Sequence, residues 1–72
     1  MVEVIRMIVT PKLNAILKDR GITQMKLSEM CGVPQGSISR FDKNTRHEDS
    51  HIFAIAKALG IKIEDLFDIR VE

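Results

Sequence analysis

In this 72-residue sequence, the side chains with chemistry to offer another molecule cluster between residues 23 and 51. The amide of Gln35 can donate and accept at once, the pair of bonds adenine presents in the DNA major groove, and the fork of Arg40 suits guanine O6 and N7. A competing chemistry is spelled by His47-Glu48-Asp49-Ser50-His51, which satisfies H-E-x-x-H, two zinc-ligating histidines one helical turn apart with a glutamate base. That pattern needs a packed helix, a third ligand and a substrate cleft, whereas these residues sit where a loop enters a helix. Glu48 and Asp49 serve better as anions at that helix's N-terminus, His47 is a candidate phosphate contact, and His51 belongs on the surface. Cys31 is the sole cysteine, so no internal disulfide or Cys-rich zinc site is expected, and its place in the pattern is that of a small buried hydrophobe. Nothing matches a Ser-His-Asp set, a phosphate-binding loop or a dinucleotide fingerprint, so neither an enzyme nor a cofactor is expected.

Those side chains need elements to position them. Residues 2–9, VEVIRMIV, are rich in β-branched side chains and read as a strand, with Val2, Val4 and Ile8 on one face and Ile5, Met7 and Val9 on the other. Thr10-Pro11 then suits an N-cap followed by proline at the first helical position, which predicts a helix over about 11–20 carrying Leu13, Ile16 and Leu17 and closed by Gly21. Thr23 caps a second helix over about 24–31, with Leu27, Met30 and Cys31 as its apolar row, and Gly32 breaks it. A third helix over about 35–42 turns Ile38 and Phe41 inward. Residues 43–49 lack any apolar side chain and read as a loop. From Ser50, Ile52, Phe53, Ile55, Ala56 and Leu59 form a fourth helix ending at Gly60, and Ile61, Ile63, Leu66 and Phe67 a fifth helical turn. Phe67, Ile69 and Val71 then alternate with charged residues as a half-buried strand does. The expected class is all-α, five helices with short N- and C-terminal strands, and the methionines are expected as core filler.

At 44% hydrophobic, the chain can fill one small core, so residues 1–72 read as a single domain. MVEVIRMIV carries Glu3 and Arg6 and is too short for a membrane span or secretion signal, so no membrane association and a cytoplasmic location are expected. The absence of Trp and Tyr, with only three Phe, argues against readers that stack single-stranded RNA bases. The net charge of +1 hides a polarity: residues 12–46 hold seven Lys or Arg against three acids, while residues 48–72 hold three against six. Positive charge therefore gathers around the first three helices, as phosphate contact requires.

The segment TQMKLSEMCGVPQGSISRF, residues 23–41, has the parts two short helices need to cross steeply: small Ser28, Gly32 at the turn, and Leu27, Val33, Ile38 and Phe41 inside. It resembles the helix-turn-helix of the lambda-repressor-like, Cro-type (xenobiotic-response-element) family. The likeness extends over residues 11–67 through Arg20 to Gln24, Gly32 to Gln35, Ile38 to Arg40, Ile55 to Gly60 and Asp65 to Phe67. Gln35, Gly36, Ser39 and Arg40 are the residues expected to face the bases of double-stranded DNA, and the resemblance implies that role for Gln35. It sets Gln24, Ser37 and the loop residues Lys43, Asn44 and Arg46 against phosphates, and Lys26 is expected there with them. Gly36 departs from the side-chain-bearing residue usual there, and Pro34 from the usual Ser or Thr cap.

The expected function is that of a sequence-specific DNA-binding transcriptional regulator, a repressor by resemblance, reading the major groove with its third helix. Two alternatives stay open at this point: the antitoxin of a toxin-antitoxin pair, with a toxin as second partner, or a protein-interaction module without DNA specificity. A domain this small contacts few base pairs, and both faces of its N-terminal strand want cover, so a homodimer through the terminal strands is expected.

Overall fold

The computed structural model describes residues 3–72. Its elements are β1 (Met7–Pro11), α1 (Leu13–Arg20), α2 (Gln24–Cys31), α3 (Gln35–Arg40), α4 (Asp49–Leu59), a 3-10 turn (Ile63–Leu66) and β2 (Phe67–Val71). Four α-helices replace the expected five. Between Gly60 and the start of β2 only four residues wind, so the fifth unit closes as a single 3-10 turn, with the Asp65 carboxylate accepting the Lys62 N–H at 3.2 Å.

The strands pair antiparallel, Met7 opposite Val71 through Pro11 opposite Phe67. This corrects the reading of Thr10-Pro11 as a helix cap. Proline's fixed φ suits extended backbone as well as a first helical turn, and its missing N–H is tolerated at the end of a two-stranded sheet. Lys12 makes the junction, donating its N–H to Leu66 O at 2.9 Å, and α1 begins only at Leu13. Residues 3–6 of the expected 2–9 strand have no regular strand structure, and Val2 lies outside the described residues.

The core gathers Leu13 and Leu17 of α1, Leu27 of α2, Val33, Ile38 and Phe41 around α3, Ile55, Ala56 and Leu59 of α4, and Leu66. Cys31 packs against it, half-buried. Arg20 donates to the carbonyl of Leu59, so the last residue of α1 satisfies the C-terminal end of α4, where a cation is favoured. The described methionines are not core filler: Met7, Met25 and Met30 are all exposed. On the two-turn α2, Leu27 and Cys31 form the inward row and Met30 falls beside it. Phe53 is likewise exposed, because Ile52, Ile55, Ala56 and Leu59 already fill the inward stripe of α4. Among the described residues no helix is long and apolar enough to cross a membrane.

Candidate nucleic-acid interface

The angle between α2 and α3 is set within a few residues. Thr23 accepts the Lys26 N–H at 3.0 Å, which starts α2. At the other end Gly32 has φ 76°, a left-handed conformation costly for any residue with a Cβ, and its N–H returns to Ser28 O at 2.8 Å. The Ser28 hydroxyl donates to Val33 O at 2.6 Å, pinning the turn to the helix it leaves. Val33 is buried, and Pro34 leads into α3 with φ −55° and no side-chain cap.

Helix α3 makes little more than one turn and a half, and its two sides are unlike. At 100° per residue, Gln35, Gly36, Ser39 and Arg40 occupy an arc of about 140° centred opposite buried Ile38 and Phe41. All four are exposed. Gly36 and Arg40 lie one turn apart, and a Cβ at Gly36 would stand 3.6 Å from Arg40 Nη2, so the guanidinium lies along the bare backbone. The Ser39 hydroxyl donates to Gly36 O at 3.0 Å, which uses its proton and leaves its oxygen free to accept. The outer surface of α3 thus offers an amide, a guanidinium and a hydroxyl oxygen over a stretch free of bulk.

The residues expected at phosphates lie on α2, on α3 and on the segment after it. Lys43, Asn44 and Arg46 are exposed on the segment after α3, where the N–H groups of Lys43 and Asn44 both donate to Arg40 O at 3.0 Å. Ser37, half-buried, shares a shallow recess with Asn44, Arg46, His47 and His51. Gln24 opens α2 and donates from Nε2 to Asn14 Oδ1 at 3.0 Å, so α1 holds its amide in place. Lys26 is exposed, with Glu29 at 4.0 Å, a surface pair worth little.

His47 has another occupation than phosphate. Its Nε2–H donates to Phe41 O at 2.7 Å, and its ring lies on that of Phe41 with centroids 4.1 Å apart. It precedes α4 rather than lying within it, and His51 Nε2 pairs with Glu48 at 3.1 Å, so the two imidazoles of the H-E-x-x-H stretch are separately engaged. Among the described residues no three His, Cys, Asp or Glu side chains gather where a metal ion could be held.

One residue that positions the interface carried no signal in the sequence. Asp42, just past α3, accepts the N–H of Leu13 at 2.8 Å and of Asn14 at 2.9 Å. It caps α1 across the fold and fixes the exit of α3 against it. Nothing local marks an aspartate as the cap of a helix so distant in the chain.

Residues 12–72 match the model of a protein family described as the Cro/C1-type helix-turn-helix DNA-binding domain. Neither the curated proteins nor the solved structures contain a match to this chain.

Proposed function

Because the chain belongs to the Cro/C1-type helix-turn-helix DNA-binding domains, we propose that it is a cytoplasmic transcriptional regulator, a repressor, that acts as one domain and lays α3 in the major groove of its operator. The observation that carries this reading is the arrangement of α3. Its buried side is Ile38 and its exposed side is Gln35, Gly36, Ser39 and Arg40, which is the division a groove-reading helix requires. Arg40 reads guanine and Gln35 adenine, while Gly36 lets the helix backbone approach the base edges. Lys43, Asn44 and Arg46 follow α3 in the chain and Gln24 and Lys26 open α2, and these polar or cationic groups take the phosphates beside the groove. Binding of two copies to two half-sites follows from so small a footprint.

Selection from a random-sequence duplex library tests the reading. Enrichment of a two-fold-related motif supports it, and recovery of unrelated duplexes in proportion to their input would overturn it.

A further inference from the structure

A shallow recess opens where α3 meets the segment after it. Buried Val33, Phe41 and Ile55 form its floor, and the Ser37 hydroxyl, the Asn44 amide and the Arg46 guanidinium stand at its polar rim. Those are groups that bond a phosphate oxygen. Its volume of about 130 Å³ is well under the ~300 Å³ at which sites for organic ligands begin, so it suits one small oxyanion. A carboxylate in the same recess, that of Glu48, opposes such a ligand. Glu48 stands at the N-cap of α4, where its carbonyl accepts the His51 N–H at 3.0 Å and its carboxylate lies 3.1 Å from His51 Nε2. The first turn of α4 thus holds a half-buried imidazole against that carboxylate.

We propose that Glu48 and His51 form a charge gate on this recess, and that the anion it admits is a phosphate of the DNA backbone. The charged or titratable groups around it are Arg46, His47, Glu48 and His51, while α3 and the turn before it contribute only Ser37 and Val33. His47 is taken up by the carbonyl and ring of Phe41. With both imidazoles neutral, Glu48 offsets Arg46 and the recess carries no net charge. A proton on His51 neutralises Glu48 through their contact and leaves the charge of Arg46 to the phosphate. By linkage, a bound phosphate favours the imidazolium in turn, so affinity is present at low pH and is lost as pH rises. Ser37 lies on α3 itself, which sets the phosphate beside the helix assigned to the bases. Use of the gate on DNA rests on the function proposed above; the gate itself needs only an oxyanion.

Titration of the full chain with a mixed-sequence duplex at constant ionic strength, from about pH 6 to about pH 8, tests it. Wild-type affinity should fall ~2–5-fold over that range, the scale of one surface ion pair. His51→Gln should bind at the weaker level throughout, whereas Glu48→Gln should bind more tightly than wild type at the upper pH. General damage to the fold would not move the two variants in opposite directions. A second measurement needs no variant: the pH titration of the wild-type His51 ring, followed by NMR, should shift its midpoint upward when the duplex is added or when inorganic phosphate replaces chloride at equal ionic strength. A His51→Gln chain that keeps the wild-type pH dependence overturns the proposal, as does a Glu48→Gln chain no tighter than wild type at the upper pH. Duplex binding that leaves the His51 midpoint unmoved contradicts the gate alone. A midpoint raised by inorganic phosphate in a chain that binds no duplex keeps the gate and contradicts the DNA reading alone.

Discussion

The carboxylate of Asp42 accepts the backbone N–H of Leu13 at 2.8 Å and that of Asn14 at 2.9 Å, so the first helix is capped by a residue just past α3. Lys12 occupies the N-cap position but offers no acceptor there. Asp42→Ala leaves both donors without that acceptor and should cost ~1–2 kcal/mol, lowering Tm by roughly 5–10 °C. Asp42→Asn keeps one acceptor oxygen and should lose about half as much. An unchanged melting temperature for the alanine variant would remove Asp42 from the stability of the fold.

Gly36 trades helix stability for room. A methyl group there meets nothing nearer than Arg40 Nη2 at 3.6 Å, an ordinary contact. Gly36→Ala should therefore stabilise the domain by ~0.5–1 kcal/mol through helix propensity. The same methyl intrudes between α3 and the base edges, so affinity for the selected duplex should fall while Tm rises by a few degrees. A melting curve and a binding titration on one preparation check both signs, and a rise in affinity would contradict the proposed approach of the helix.

Lys43 and Arg46 are exposed on the segment after α3 and are proposed phosphate contacts. Each alanine substitution should weaken binding to every duplex alike and reduce the magnitude of the slope of log K against log salt by about one. Titrations at several salt concentrations measure this, and an unaltered slope would take that residue out of the interface.

Much of this was legible because it is written locally. Gly21 and Gly32 end their helices in the left-handed conformation, Thr23 caps α2, and the spacing of Leu27, Val33, Ile38 and Phe41 placed the crossing of α2 and α3. Once Ile38 and Phe41 face inward, the outward position of Gln35, Gly36, Ser39 and Arg40 follows from helical geometry alone. What could not be read depended on partners far away in the chain. Pro11 suits a strand end or a helix start equally, and Phe67, paired opposite it, settles the choice. His47 carries a charge-capable ring in a polar loop, yet a carbonyl and the ring of Phe41 decide what it does. Met30 and Phe53 share the hydrophobicity of the core without its position, because the apolar stripes of α2 and α4 were already filled.

The proposed reading of bases by α3 rests on Arg40. The measurement that meets it most directly is the binding free energy of wild type and Arg40→Ala against every single-base-pair variant of the selected duplex. Wild type should discriminate by ~1–3 kcal/mol at one G·C pair per half-site, and Arg40→Ala should lose that preference while keeping the preferences at other positions. If Arg40→Ala instead weakens binding to all variants equally, Arg40 is a phosphate contact and the assignment of α3 to base reading through it is wrong.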